Sequence, residues 1–238
     1  GSRGLGDVYK RQGPITYVLK LKNNSKISKF VTNNKKSIAV RFPKHKLLRN
    51  LLKNLDYPVA APSANISSRL SSVKSSDVKE EFGSKIKYIL NGGKSKIGVE
   101  STILNLLEKP SLLRYGGLDT KKIENVLKKK LLINKNSKKK LSPGLFPLHY
   151  SPGIPLRVNV KKPKKDEAYL LIKKRKSKLK NYYYLSKMKN IDEAAKNLYS
   201  TLRKIKNDGF KKIAVETIPN KGLGKTLSLI HISEPTRP

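Results

Sequence analysis

The sequence predicts an α/β protein with an open, twisted mixed sheet, followed by a linker and a second, smaller α/β unit. Short runs of β-forming residues alternate with segments of helical spacing, which is the pattern of an α/β domain. A lysine- and serine-rich stretch at residues 134–144 interrupts this pattern. Strand and helix signals then start again, so we expect a second unit of about 60 residues.

Alternation, helical spacing and turn residues predict the elements of the first domain in order. Residues 14–21 alternate and form a first strand, and residues 37–42 form a second strand that Pro43 ends. Residues 46–55 have the spacing of a helix. The remaining elements are strands at 57–61, 87–90, 101–106 and 111–114, and helices at 77–82 and 120–129.

The second unit is predicted from three further elements and its flanking segments. Residues 169–172 are apolar, residues 190–206 read as an amphipathic helix, and residues 212–216 read as a strand. The expected domain limits are 13–133 for the first domain, 134–164 for the linker and 165–226 for the second domain. Residues 1–12 and 227–238 look like a translated sequencing adaptor and are expected to be non-native.

Composition excludes several classes of chemistry. The chain has 238 residues, no cysteine and a formal net charge of +38. Disulfides, thiolate zinc sites and cysteine nucleophiles are therefore excluded. No apolar run has the length of a membrane span, and we expect a cytoplasmic protein. Lysine is spread along the whole chain, which favours a compositional bias over a dedicated nucleic-acid surface.

Polar and cationic residues accompany several predicted strands. Arg41 ends the second strand, Pro-Ser-Ala-Asn at 62–65 follows a short strand, Ser101 lies in Glu-Ser-Thr, and Arg114 ends a later strand. Each alone suits an ordinary turn or a surface charge. Because ligands of open α/β sheets bind at strand ends, hydroxyls and guanidinium groups converging there would suit an anionic, phosphate-bearing ligand.

These motifs, in this order, resemble the YrdC-like threonylcarbamoyl-AMP synthase family. The resemblance rests on Gly-Pro-Ile-Thr (13–16), Ser-Ile-Ala-Val-Arg-Phe-Pro (37–43), Val-Ala-Ala-Pro-Ser-Ala-Asn-Ile-Ser (59–67), Gly-Val-Glu-Ser-Thr-Ile (98–103), Leu-Leu-Arg-Tyr-Gly-Gly (112–117) and Ser-Pro-Gly-Leu…His-Tyr-Ser-Pro (142–152). The second unit, ending in Pro-Asn-Lys-Gly-Leu-Gly (219–224), resembles the C-terminal domain of the longer family members. The resemblance therefore implies a YrdC-like sheet domain joined to a Rossmann-like one.

The resemblance also implies an activity and the residues that serve it. The family makes threonylcarbamoyl-AMP and pyrophosphate from L-threonine, bicarbonate and ATP, with Mg²⁺ accompanying the ATP, for a downstream threonylcarbamoyl transferase that modifies tRNA. Threonine-binding positions fall on Arg41, the backbone at Ala61, and Ser101. ATP-binding positions fall on Ser37, Ser63, Ser71, Arg114 and Tyr150. Asn65 belongs to the same motif and is expected to order its loop or to contact phosphate.

The chemistry that the resemblance implies needs no nucleophilic side chain. The carboxylate of a carbamate is by itself a competent nucleophile towards the α-phosphorus of ATP. We therefore expect catalysis by positioning and electrostatics, without a protein metal site. The family's N-terminal segment with its Lys-x-Arg motif is expected to be missing, and Ser68 stands where the family has glycine. The chain as written is therefore expected to be inactive and marginally stable. The rival interpretations are a non-catalytic double-stranded RNA-binding module and a carbamoyl-phosphate-handling relative.

Overall fold

The computed structural model describes residues 12–67, 69–133, 153–175 and 179–228. They fall into two compact units, each with its own sheet. Unit 1 takes in the described parts of residues 1–62 and 100–142, and unit 2 those of residues 63–99 and 143–238. The predicted α/β class is confirmed. The predicted domain limits remain a prediction.

The described residues contain nine strands and six α-helices, numbered here in chain order. The strands are β1 (Ile15–Lys20), β2 (Ser37–Arg41), β3 (Thr102–Asn105), β4 (Ser111–Arg114), β5 (Leu132–Ile133), β6 (Leu156–Arg157), β7 (Ala168–Lys173), β8 (Tyr182–Ser186) and β9 (Ile213–Val215). The helices are α1 (Lys29–Thr32), α2 (Lys46–Lys53), α3 (Ser75–Phe82), α4 (Thr120–Leu127), α5 (Ile191–Asn207) and α6 (Gly224–Leu227).

Unit 1 is built on a mixed sheet with the strand order β2-β1-β3-β4-β5. β1 runs antiparallel to β2 and parallel to β3, while β4 runs antiparallel to β3 and parallel to β5. Helix α4 begins after Asp119, whose carboxylate accepts the Lys121 N–H at 3.0 Å. Its buried residue, Ile123, packs with the apolar sheet residues Ile15, Leu104 and Leu112 and with Leu131, which comes just before β5. This small core fixes the relative positions of β1, β3 and β4.

Unit 2 contains a parallel sheet with the strand order β6-β9-β7-β8. Helix α5 packs on this sheet because one of its faces is apolar. That face consists of Ala194, Ala195, Leu198, Tyr199, Leu202 and Ile205, all of which are buried. Asn190 caps the helix by accepting the Glu193 N–H at 2.9 Å.

Residues 63–99 pack within unit 2. Leu70 and Val73 belong to the same buried cluster as the apolar face of α5. Gly98 has a φ of +75° and lies directly against α5, where a Cβ atom would come within 3 Å of the Lys196 backbone. A side chain at this position would separate the segment from the helix.

Two predicted strands are wrong. Residues 57–61 and 87–90 have no strand partner in either described sheet and are irregular. Tyr57 and Tyr88 are 60% and 91% exposed. Their β-forming side chains meet no neighbouring strand, so local propensity is not realised. Helix α3 begins at Ser75, two residues before the predicted start, because Asp77 accepts hydrogen bonds from the preceding backbone.

Strand β8 and the burial of Leu227 were not expected. The three tyrosines and the serine of β8 pair in parallel with β7. Leu227 lies within the segment that resembles adaptor sequence, yet its side chain is fully buried in the core of unit 2. Among the described residues, no helix has the length and apolar content that crossing a bilayer requires.

A buried carboxylate in unit 2 gives a pH prediction. Glu167 is 2% exposed and accepts two hydrogen bonds from Arg157 at 2.7 and 2.8 Å and one from the Lys164 N–H at 2.7 Å. The Arg157 hydrogen bond, more than any other contact, lowers the pKa of Glu167 from its ordinary value. The lowered pKa means that ionised Glu167 stabilises the folded state. This stabilisation is complete above the pKa of the residue in the unfolded chain, about 4.3, and is lost as the pH falls through its lower pKa in the folded chain.

We therefore expect the free energy of unfolding to fall with acidification, and Glu167→Gln to flatten that dependence. Urea unfolding of unit 2, followed at a series of pH values from neutral to acidic, measures it. Glu80→Gln is the control, because Glu80 also lies in unit 2 and is exposed. A Glu167→Gln variant with the wild-type pH slope would contradict the assignment.

Candidate functional site

Two hydroxyl groups and two guanidinium groups lie close together in unit 1, on its strands or directly before one of them. Thr16 on β1 pairs in register with Arg41 on β2, and its Oγ1 lies 2.7 Å from the Ser101 Oγ. Arg114, at the end of β4, donates to the Ser101 carbonyl oxygen from Nε at 3.1 Å and from Nη2 at 2.8 Å. Its Nη2 also donates to the Ser101 Oγ at 3.2 Å. We call Thr16, Arg41, Ser101 and Arg114 the hydroxyl–guanidinium cluster.

Strand direction explains why these residues meet. β2 and β4 are antiparallel to β1 and β3, so the carboxyl ends of the first pair share an edge with the amino ends of the second. Arg41 and Arg114 therefore end their strands where Ser101 comes just before β3. The site is a mixed edge and not the purely carboxyl edge that the strand-end argument expects.

The backbone around Ser101 is fixed by the turn that follows β4. Gly116 lies so close that a Cβ atom would come within 3 Å of the Ser101 carbonyl group and the Thr102 nitrogen. Gly117 N–H donates to the Glu100 carbonyl at 2.7 Å, and the Thr102 hydroxyl donates to the Leu118 carbonyl at 2.8 Å. Ser101 itself is 4% exposed. Its hydroxyl and carbonyl oxygen are thus held in one orientation.

The electrostatics of the cluster favour an anion. Partial desolvation lowers the pKa of Arg41 from its ordinary value, and the positive charge of Arg114 lowers it further. No carboxylate in the described part of the chain forms an ion pair with Arg41. A carboxylate or phosphate placed between the two guanidinium groups would relieve their repulsion and accept charge-assisted hydrogen bonds.

The other predicted positions of unit 1 lie outside this cluster. Ser37 opens β2 opposite Lys20, four residues from Arg41 and therefore roughly 13 Å away along the strand. Ala61 is exposed in an irregular segment. Tyr150 lies outside the described residues. The structure thus brings together Arg41, Ser101 and Arg114 among the residues that the sequence singled out.

Three further predicted positions lie in unit 2, in the described residues of 63–72, which we call the serine loop. Asn65 Nδ2 donates to the carbonyls of Ile66 at 2.9 Å and Arg69 at 3.1 Å, so its amide closes the turn. Ser72 Oγ donates to the Ala64 carbonyl at 2.7 Å. Ser63 is exposed and Ser71 is half-buried. The loop therefore presents hydroxyl groups on a backbone that its own side chains organise.

The sequence argument missed Thr16 as a site residue. A threonine in a strand is an ordinary β-former, so its residue type gives no functional signal. Its position becomes informative only through the parallel pairing of β1 with β3, which aligns Ile15 with Thr102. The signal in the sequence is its place at the end of Gly-Pro-Ile-Thr.

Family models cover both halves of the chain. The model described as Telomere recombination, which spans the Sua5, YciO and YrdC proteins, matches residues 6–116. The model described as Threonylcarbamoyl-AMP synthase, C-terminal domain, matches residues 118–228.

Curated relatives carry the name threonylcarbamoyl-AMP synthase. The chain is 32% identical to the Pyrococcus abyssi protein and 30% identical to the Bacillus subtilis protein, over 89% of its own length in each case. It is 30% identical to the Schizosaccharomyces pombe protein over 92% of its length. The chain spans 67%, 66% and 64% of these three relatives, respectively.

Solved structures are similar to most of the chain. The crystal structure of P. abyssi Sua5 complexed with L-threonine superposes with a TM-score of 0.81 at 30% identity, covering 96% of this chain and 73% of that one. A doubly alanine-substituted form of the same P. abyssi protein gives a TM-score of 0.78, with 93% and 69% covered.

Proposed function

Because the chain belongs to the threonylcarbamoyl-AMP synthase family, we propose that it catalyses the formation of threonylcarbamoyl-AMP. L-Threonine, bicarbonate and ATP are the substrates, and pyrophosphate is the second product. The hydroxyl–guanidinium cluster is the observation that carries this proposal, since it offers two cations and two hydroxyls to an anionic substrate. The L-threonine complex of the P. abyssi structure supports an amino acid as one substrate.

We assign the carboxylate of threonine to the neighbourhood of Arg41. Its guanidinium is exposed to ligands and has no carboxylate partner among the described residues. The oriented oxygens of Ser101 and the backbone at Ala61 complete the threonine positions. A guanidinium binds a carboxylate through parallel N–H donors, which fixes the orientation of the amino acid as well as its charge.

We assign ATP to Ser37, Ser63, Ser71, Arg114 and Tyr150. In the reaction, the amino nitrogen of threonine bonds to the carbon of bicarbonate and one water leaves, which gives the threonine carbamate. An oxygen of this carbamate attacks the α-phosphorus of ATP, and the bond from that phosphorus to the bridging oxygen of pyrophosphate breaks. The nucleophile is already anionic, so no side chain has to remove a proton from it. Hydroxyls and guanidinium groups lower the barrier by holding both anions together and stabilising the developing charge.

Mg²⁺ enters this proposal as part of the ATP complex. In the part of the chain that the structure describes, no group of three or more histidine, cysteine, aspartate or glutamate residues could hold a metal ion. The hydroxyl–guanidinium cluster contributes cations and hydroxyls, which are poor partners for Mg²⁺ compared with phosphate oxygens. We therefore expect phosphate oxygens and water to supply most of its ligands.

The product is a mixed anhydride that must be transferred before water hydrolyses it. We propose that a downstream threonylcarbamoyl transferase takes it to adenosine in tRNA, in the cytoplasm, and that tRNA or another double-stranded RNA is a candidate partner. The rival function, a non-catalytic double-stranded RNA-binding module, is not favoured because the curated relatives are named as synthases.

The proposal is tested by pyrophosphate release from the protein expressed from its complete gene. We expect release to require ATP, L-threonine and bicarbonate together. Release that does not depend on threonine would overturn the proposal. RNA binding with steep salt dependence, combined with no ATP affinity, would instead support the RNA-binding module.

Thr16 gives a prediction about threonine affinity. Thr16→Val keeps the shape of the side chain but removes the hydroxyl that contacts the Ser101 Oγ. One lost hydrogen bond of about 1 kcal/mol corresponds to a dissociation constant for L-threonine that is about fivefold higher. Titration calorimetry with L-threonine measures this dissociation constant. Thr32→Val removes a hydroxyl that bonds the Lys29 carbonyl within α1, and it should leave threonine affinity unchanged.

A further inference from the structure

Arg203 on helix α5 reaches the serine loop and helix α3 within unit 2. Its Nη2 donates to the Leu70 carbonyl at 2.7 Å and to the Glu81 carboxylate at 3.2 Å, and its Nε lies 3.9 Å from the Asp77 carboxylate. The side chains of Asp77 and Glu81 are each 4% exposed, and that of Arg203 is 19% exposed. One largely buried cation therefore lies between two buried carboxylates.

The same two carboxylates hold the backbone of the serine loop and of the residues that follow it. The second oxygen of Glu81 accepts the Ile66 N–H at 2.8 Å. Asp77 accepts the N–H groups of Val73 at 2.9 Å and Lys74 at 3.2 Å. Arg203 thus acts on this segment directly at Leu70 and, through the two carboxylates, at both ends of the segment.

Electrostatics make this arrangement depend on Arg203. Without the cation, Asp77 and Glu81 would be two like charges held out of water, and each carboxylate would gain by turning towards solvent. Turning would release the backbone N–H groups of Ile66 and Val73. A lysine keeps the charge, but its ammonium cannot reproduce the planar fork that hydrogen-bonds the Leu70 carbonyl and the Glu81 carboxylate while its Nε lies 3.9 Å from the Asp77 carboxylate.

The contacts of Arg203 with Leu70 and Glu81 join the segments that the two family models match. Arg203 belongs to residues 118–228, which match the C-terminal domain model, whereas the serine loop belongs to residues 6–116. Leu70 and Val73 add apolar packing against the same helix. The C-terminal segment therefore supplies part of the structure that holds a substrate-binding loop.

We propose that Arg203 is a positioning residue for nucleotide binding, which fixes the serine loop so that Ser63 and Ser71 hold ATP. This rests on the proposed function, because ATP is assigned to the loop only there. Arg203 acts through Glu81, Asp77 and the Leu70 carbonyl. Its loss should affect ATP and leave threonine nearly unaffected, since Arg41 and Ser101 lie outside the loop.

The test compares Arg203→Lys with Arg157→Lys in the protein expressed from its complete gene. Arg157 also pairs with a buried carboxylate in unit 2, that of Glu167, and so is a matched control. For Arg203→Lys we expect amide exchange at Ile66 and Val73 to be about tenfold faster. We expect the KM for ATP to rise about tenfold while the KM for threonine stays within about twofold. Arg157→Lys should change neither.

If Arg203→Lys does not fold cooperatively, Glu81→Gln tests the same link. The glutamine oxygen can still accept the Ile66 N–H, but the charge pairing with Arg203 is gone, so smaller changes in the same direction are expected. Faster exchange without a change in the KM for ATP would overturn the proposal, as would equal rises for ATP and threonine. A wild-type protein without ATP-dependent pyrophosphate release would overturn the proposed function too, even if the exchange result held.

Discussion

Replacing Arg114 with methionine is expected to lower kcat/KM for pyrophosphate release by about 100- to 1,000-fold. Methionine keeps an unbranched apolar stem but removes the guanidinium that donates three hydrogen bonds to Ser101. The positive charge beside Arg41 is lost at the same time. A reaction between two anions depends on such charges, because they offset the repulsion that separates the reactants.

The effect should extend to both substrates. Family resemblance assigns Arg114 to ATP and Ser101 to threonine, yet the structure joins them directly. We therefore expect the KM for threonine to rise together with that for ATP. Arg114→Lys should recover part of the ATP effect by restoring charge, but little of the threonine effect, because one ammonium cannot orient both the carbonyl and the hydroxyl of Ser101.

Arg49→Met is the matched control for Arg114→Met. Arg49 also lies in unit 1, and its Nη1 donates to the Gln12 side chain at 3.1 Å and not to Ser101. The variant removes the same charge from the chain, so it should keep kcat/KM within about threefold of the wild type. Steady-state kinetics with each substrate varied in turn measure both variants. Equal losses for the two would show that total charge matters and the cluster does not.

The sequence predicted those features of the site that local patterns encode. Arg41, Ser101 and Arg114 each stand beside a strand signal, and the structure brings these three together. Thr16 could not be singled out, because its contact with Ser101 joins residues 85 positions apart. Arg203 is the extreme case, since its partners Glu81 and Leu70 are 122 and 133 positions away.

The two wrongly predicted strands also show the effect of long-range contacts, because here such contacts are absent. Residues 57–61 and 87–90 have β-forming composition, but a strand exists only where a neighbour accepts its hydrogen bonds. β8 has such a neighbour in β7, although its residues show no alternation to recognise. Local propensity predicted the class of fold, and long-range pairing decided which candidates became strands.

A single methyl group at Gly116 should damage both the stability and the activity of unit 1. Gly116→Ala would place its Cβ within 3 Å of the carbonyl carbon and oxygen of Ser101 and of the Thr102 nitrogen. These are backbone atoms at the start of β3, so they cannot move aside as a flexible side chain can. Overpacking of this kind costs about 1–3 kcal/mol, and more where the neighbour is rigid.

The displacement would also reach the site. Ser101 would be pushed away from Arg114 and Thr16, and the Gly117 hydrogen bond to Glu100 would be strained. Chemical unfolding and pyrophosphate release measure the two effects. Gly93→Ala is the control: no atom lies within 4 Å of a Cβ there, and the cost should be limited to about 1 kcal/mol for its φ of +78°. If Gly116→Ala were no more destabilising than Gly93→Ala, the close approach of Gly116 to Ser101 would not hold the site in place.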